Sequence, residues 1–202
     1  MGLVANALKR YPKTLVAGLT VRPMTGRDKA ALVAFFKRIP VDERQLFRDD
    51  VTKPSTIQGW IKNLDYENIL PLLVFDGKRI VADGTLHRDR RGWSRHVAKI
   101  RLTLDPAYRG AGIGRALVRE FIDLAKPFGI ALLNAEVLPR MKGALKLFEE
   151  VGFVCVATLP QHAIDLAGRV HDLLHFSYAV TPPEKLAPEA SLAEEDADVG
   201  GG

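Results

Sequence analysis

Hydrophobic positions along the chain change their period twice. "TLVAGLTVRPM" (14–24) reads as two short strands about Gly18. From Thr25 to Leu64 the spacing is helical. "TGRDKAALVAFFKRIP" (25–40) predicts a helix with Thr25 as N-cap, Leu32, Val33, Phe35 and Phe36 apolar, and Pro40 at its close. "VDERQLFRDDV" and "STIQGWIKNL" continue in the same mode, the second with Ile57, Trp60, Ile61 and Leu64 on one stripe. The pattern then turns extended. "ILPLLVF", a "DGK" turn and "RIVADGTLHR" predict a hairpin. After the turn "RRGW", the strand "RHVAKIRLTLD" sets Ala98, Ile100, Leu102 and Leu104 on one face and Lys99, Arg101 and Thr103 on the other.

Helical spacing returns in "IGRALVREFIDLAKP", with Ile113, Leu117, Phe121 and Leu124 in line and Pro127 as its end. "IALLNAEV" (130–137) is a buried-strand pattern. "MKGALKLFEEVGF" turns Ala144, Leu145, Phe148 and Val151 inward and offers Gly152 as C-cap. "VCVATL" and "DLLHFSYAV" are closing strands. Residues 98–137 thus form a strand–helix–strand unit whose crossover is long enough to set two strands parallel. The hairpins before it demand antiparallel pairing. The expected fold is α/β (α+β), a mixed, mostly antiparallel sheet with one parallel pair, flanked by helices. A single domain is expected over residues 1–180. The aperiodic, acidic stretch 181–202 is expected to be disordered.

Composition narrows the function classes. Of 202 residues, 47% are hydrophobic, enough for one ordinary core. No apolar run reaches the roughly 18–20 residues of a membrane helix. Met1-Gly2 opens like a myristoylation site, but Asn6 stands where Ser or Thr is wanted. The one cysteine, Cys155, excludes an internal disulfide, fits a reducing, cytoplasmic setting and reads as a core residue among Val154, Val156 and Ala157. Histidine spacing offers no ligand pair, so no metal site is expected. The net charge is +5; six acids and one base from Thr181 onward sum to −5, leaving +10 on the rest. Such a field favours a polyanionic ligand, nucleic acid or a phosphorylated cofactor. The turn "HRDRRGWSRH" carries Arg88, Arg90, Arg91 and Arg95 around Trp93, but one turn makes no extended nucleic-acid groove.

The chemistry concentrates in "DPAYRGAGIGRALV". Gly110 and Gly112 begin a dinucleotide fingerprint, yet Arg115 occupies its third glycine position. No Walker-type loop exists. What remains is R-x-x-G-x-G, Arg109, Gly112 and Gly114, between a strand end and a helix start. A helix N-terminus there would aim free N–H groups and the positive end of the macrodipole at one anion. A plain strand–helix turn is the alternative.

The segment "LTLDPAYRGAGIGRALV" closely resembles the acetyl-CoA-binding motif of the Gcn5-related N-acetyltransferase (GNAT) superfamily. The hairpin "FDGKRIVADGTLHR", the helix "GALKLFEEVGF" and the opening "VRPMTGRDKAALVAFF" extend the resemblance over roughly residues 14–180. It implies a splayed parallel strand pair. It also implies a coenzyme A pyrophosphate held at Arg109, Gly110, Ala111, Gly112, Ile113, Gly114 and Arg115, with the pantetheine arm along Leu102, Thr103 and Leu104. The helices at 25–64 would wall the acceptor site. The implied reaction is direct attack of an amine, of a small molecule or a protein lysine, on the thioester of acetyl-CoA. "FFKRIPVDERQLFRDDV" is similar to a segment of bacterial members, some of which acetylate protein lysines. A homodimer is compatible with the resemblance.

A protonated amine must lose a proton before it attacks. Base candidates are Glu136, at the end of the strand after the crossover, and His87, at the end of the hairpin; His171 is a third. Many members use a late-helix tyrosine as the acid, and here Phe148 stands in its place, with Met141 where an asparagine often precedes it. Phe148 keeps its place beside the coenzyme but has no proton to give. A catalytically weak coenzyme A-binding module is therefore the rival to an N-acetyltransferase, and a nucleic-acid-binding protein is the further one.

Overall fold

The computed structural model describes residues 3–47 and 49–181. The myristoylation-like start and the acidic segment after Thr181 lie outside the described residues. Elements follow the chain as α1 (Leu3–Leu8), β1 (Lys13–Thr14), β2 (Thr20–Pro23), α2 (Lys29–Arg38), α3 (Val41–Arg44), α4 (Pro54–Lys62), β3 (Ile69–Asp76), β4 (Arg79–Arg88), β5 (Val97–Leu104), α5 (Ile113–Ala125), β6 (Leu132–Val137), α6 (Lys142–Val151), β7 (Val154–Ile164) and β8 (Val170–Ala179). The strands form one eight-stranded sheet in the order β1-β2-β3-β4-β5-β6-β8-β7, antiparallel except for β5 and β6.

The helical reading of 25–64 holds in part. A 3₁₀ turn (Gly26–Asp28) precedes α2, and Asp28 accepts the Thr25 backbone N–H at 2.7 Å. "VDERQLFRDDV" closes only the single turn α3. Phe47 leaves the helical path to meet Phe36 edge-on at 5.5 Å, so packing overrides local propensity.

Each sheet face has its own core. On one side α2 and α4 cover β3 and the start of β4, where Phe35, Phe36, Ile57, Leu73, Phe75 and Ile80 are buried. On the other, α5 lays the predicted stripe Ile113, Leu117, Phe121 and Leu124 across the sheet, with none above 1% exposure. That helix can come so close because β4 carries Gly84. A β-carbon there would lie 2.7 Å from Leu117 and 2.8 Å from Phe121, both fully buried.

Asp105 closes β5 and is 2% exposed. Arg38 of α2 donates to it at 2.6 Å, Arg79 of β4 at 2.9 Å and the Ala107 N–H at 3.2 Å. Burial opposes its charge, and these donors overcome that and hold its carboxyl below the usual range. One side chain thereby ties α2, β4 and the loop after β5 together.

Two stability predictions follow from this packing. Gly84→Ala forces Leu117 and Phe121 aside and lowers stability by roughly 1–3 kcal/mol, a drop of about 2–4 °C in Tm per kcal/mol, read by thermal unfolding. Asp105→Asn keeps the shape but loses the charge, at about 2–3 kcal/mol because its arginines are partly solvated. Since the folded carboxyl is depressed, its contribution is present at neutral pH and lost as pH falls below about 4. Denaturant titrations should show wild type and variant converging in acid.

Candidate active site

β5 and β6 run parallel for three register pairs, Val97–Leu132, Ala98–Leu133 and Lys99–Asn134. Beyond them the strands part. Ala135–Val137 pair with β8, while Ile100–Leu104 keep only β4. The β6-facing edge of β5 therefore presents backbone groups of residues 101–104 without a strand partner, an edge open to an extended ligand.

The loop at the head of this slot is built for bare backbone. Gly110 and Gly112 have φ of +81° and +78°, a conformation that disfavours a side chain, and nothing lies within 4 Å of a β-carbon added to either. The Gly112 carbonyl accepts the Ala116 N–H at 3.0 Å as the first α-helical bond of α5. No side chain caps this end, so the N–H groups of the first turn face outward. Gly114 serves another purpose. Its missing β-carbon would sit 2.9 Å from Leu147 of α6 and 3.6 Å from Leu104, so it lets the helices close behind the slot. The arginines of the motif are engaged: Arg115 pairs with Glu150 of α6, and Arg109 makes a two-pronged ion pair with Glu43 of α3 at 2.8 and 2.6 Å.

α3 bridges the parted strands. Glu43 holds Arg109 on the β5 side, and the Asp42 carbonyl accepts from Arg140, after β6, at 3.3 Å. Its C-terminal neighbour Gln45 takes the β7–β8 turn through its carbonyl, from the Leu166 N–H at 2.8 Å, and its Oε1, from Arg169 at 2.5 Å. That turn is organised by buried Asp165, which binds Arg169 at 2.8 Å and His171 at 3.0 Å and is held well below the usual carboxylate range by those partners against the cost of burial. His171 is thereby a structural partner of Asp165.

Away from α5, the sheet face over β4, β5 and β6 is polar. Strand register sets His87 beside Lys99, Thr85 beside Arg101 and Asp83 beside Thr103, with Asn134 beside Lys99. A cleft of about 410 Å³ opens here, lined by His87, Lys99, Arg101 and Asn134 among others. Of the two base candidates, His87 lines it and Glu136 reaches it only through Lys99. Lys99 forms an ion pair with Glu136, and Thr85 Oγ1 lies 2.9 Å from His87 Nε2. Burial, then the charges of Arg101 and Lys99, push the His87 pKa down to about 4, so its ring is uncharged at neutral pH. Arg101 has no acid partner among the described residues, and the Asn134 Oδ1 is buried without a hydrogen bond. Sequence reading missed Asp83. Its only signal was an acid inside the otherwise apolar "RIVADGTL", next to the glycine that admits α5.

Other expected positions resolve differently. Phe148 is 5% exposed, with ring centroids 5.0 Å from Phe153 and 6.2 Å from Phe176, so it is chiefly core. Cys155 corrects the sequence reading. It is exposed, between Val154 and Val156, because β7 is the edge strand of the sheet. In the basic turn, Trp93 is 93% exposed and Arg90 pairs with Glu67 at 3.4 Å. Among the described residues no cluster of three or more His, Cys, Asp or Glu side chains could hold a metal, and no helix is long and apolar enough to cross a membrane.

Known proteins share this architecture. An L-methionine sulfoximine/L-methionine sulfone acetyltransferase of Salmonella typhimurium is 23% identical over 174 residues, 85% of this chain and 99% of that protein. An L-amino acid N-acyltransferase of Escherichia coli is 23% identical over 145 residues, 71% of this chain and 84% of that one. The solved structure of a putative acetyltransferase from Salmonella typhimurium with its cofactor acetyl-CoA superposes with a TM-score of 0.68 at 21% identity, covering 85% of this chain and 98% of that chain. Residues 34–153 match the acetyltransferase (GNAT) family, from α2 through the glycine loop to the end of α6. With the mixed sheet, the single parted parallel pair and that match, the chain belongs to the GNAT family and is an N-acetyltransferase.

Proposed function

We propose that the chain transfers the acetyl group of acetyl-CoA to the amine of a small acceptor that also carries a carboxylate, an amino acid or close analogue. The observation that carries this reading is Arg101, an exposed guanidinium without an acid partner among the described residues, in the cleft that the uncommitted Asn134 carbonyl also lines. Arg101 binds the acceptor's carboxylate through its two-pronged guanidinium. The relatives named for amino-acid and methionine-analogue acetylation support the same class.

The coenzyme's fit rests on the bare loop. Open space at Gly110 and Gly112 and the uncapped α5 suit a pyrophosphate at residues 109–115, Arg109 through Arg115. The unpaired edge at Leu102, Thr103 and Leu104 suits the pantetheine arm, hydrogen-bonded like an added strand, with an N–H aimed where oxygen charge develops. Acetyl-CoA supplies the activated acetyl thioester. Phe148 backs the slot as packing. Glu136 fixes Lys99, and neutral His87 accepts hydrogen bonds at the cleft wall. Solvent returns a proton to the departing sulfur, since Phe148 cannot. The lone cysteine supports a cytoplasmic setting.

Two measurements test this. Calorimetry with acetyl-CoA should show binding that Gly112→Asp reduces at least about tenfold, since the added carboxylate meets the phosphates; unchanged affinity would remove the coenzyme site from this loop. With L-methionine sulfone as acceptor, Arg101→Ala should raise KM roughly tenfold or more and leave acetyl-CoA affinity alone. An equal effect on an amine lacking the carboxylate would contradict the role of Arg101. Coenzyme binding without turnover on any amine would leave the weak binding module.

A further inference from the structure

We infer that Asp83 is the base that accepts the proton of the acceptor's ammonium group, a role that rests on the acceptor reading above. The geometry begins with the β4–β5 register. Asp83 pairs with Thr103 and the next pair on the same face is Thr85–Arg101, so Asp83 and Arg101 are diagonal neighbours, roughly 7–8 Å apart at that spacing. An amino acid whose carboxylate sits on Arg101 spans that gap with its ammonium towards Asp83. The unpaired edge of β5 runs beside Arg101 and Thr103, one strand away from Asp83.

Most other acids near the slot hold a cationic side chain, whereas Asp89 at the cleft rim accepts, among the described residues, only the Arg91 N–H at 3.3 Å. Glu136 holds Lys99, Glu43 holds Arg109, Asp105 holds Arg38 and Arg79, Asp28 holds Arg22 and Asp165 holds Arg169 and His171. Asp83 makes no hydrogen bond or ion pair with a described residue, so its lone pairs are free for a proton. Its in-register neighbours are Leu73 of β3 and Thr103 of β5. Charged or titratable groups on the surrounding elements include Arg22 of β2, Arg38 of α2, Arg79 of β4 and Glu43 of α3, all paired as above, Lys99 of β5 paired with Glu136, His87 and Arg88 of β4, Asp42 of α3, Arg101 of β5, and Arg44 of α3, whose Nε is buried without a partner. Asp83 is half-buried, and its partial removal from water, with no charged neighbour contributing, pushes its carboxyl up towards about 7, in the range of a base working at neutral pH.

The step balances. The Asp83 carboxylate takes one proton from the ammonium group. The freed nitrogen lone pair forms the C–N bond to the acetyl carbon as the C–S bond breaks and its electrons leave on sulfur. The second proton shed by nitrogen passes to that sulfur through solvent, and Asp83 releases its own to water before the next turnover.

Carbon-13 NMR of the chain labelled at aspartate carboxyls tests the poise of the group without turnover. A signal absent from Asp83→Asn should titrate near pH 7 in the wild type. Titration in the ordinary range near 4 would overturn the inference. In turnover with L-methionine sulfone, Asp83→Asn should lower kcat about 100-fold or more, leave acetyl-CoA binding by calorimetry within about twofold, and abolish the acidic limb of the kcat/KM profile. Asp83→Glu should recover part of the rate. Full activity of Asp83→Asn, or an acidic limb that persists, sinks the assignment. A wild type inert towards every carboxylate-bearing amine would instead refute the acceptor reading, and the titration would then decide Asp83 alone.

Discussion

The parting of β5 from β6 after Lys99 and Asn134 is the constraint on which the rest depends. A parallel pair normally continues to satisfy its backbone groups along its whole length. Here the ladder stops after three pairs, while each strand keeps a full partner on its other side. The gap stays open because the helices behind it are locked. α5 lies against β4 over Gly84, and Leu147 of α6 fills the space that Gly114 leaves empty. Neither helix is free to follow one strand towards the other. The polar edge this creates is costly in an isolated fold and useful to an extended ligand.

The two sheet faces divide the labour. Behind the slot lies a continuous apolar core from Leu70 to Phe176. In front, the apolar cover of α2 and α4 stops near Ile80, and the face turns to Asp83, His87, Lys99, Arg101 and Asn134. Several of these groups are half-buried and some lack partners. A chain selected for stability alone would pair them or replace them with apolar residues, since an unpaired buried polar atom costs about 1–3 kcal/mol. Their grouping where the slot opens is what the proposed acceptor site would require.

Much of this was legible in the sequence because it depends on local rules. The period change placed the hairpin β3–β4 and the β5–α5–β6 unit, and the glycine loop announced the helix that carries it. What escaped depends on contacts far apart in the chain. Cys155 sits in an apolar run that reads as core, yet β7 pairs on one side only and leaves it in solvent. Asp83 looks like an ordinary polar alternation, and only the packing of distant elements sets it apart. Arg109 reads as a motif residue, while its carboxylate partner Glu43 lies 66 residues away. The helix expected at 41–51 gave way to one turn because Phe47 finds a better neighbour in Phe36.

The bridge that α3 makes has a kinetic consequence. Its partners lie far along the chain: Arg109 after β5, Arg140 after β6, and Arg169, 124 residues from Gln45. Such contacts close very long loops, whose entropy must be overcome before they stabilise anything. The strands that carry those arginines must be in place before the bridge can form. The mouth of the slot is therefore expected to acquire its native contacts late in folding, after the strands on either side have paired.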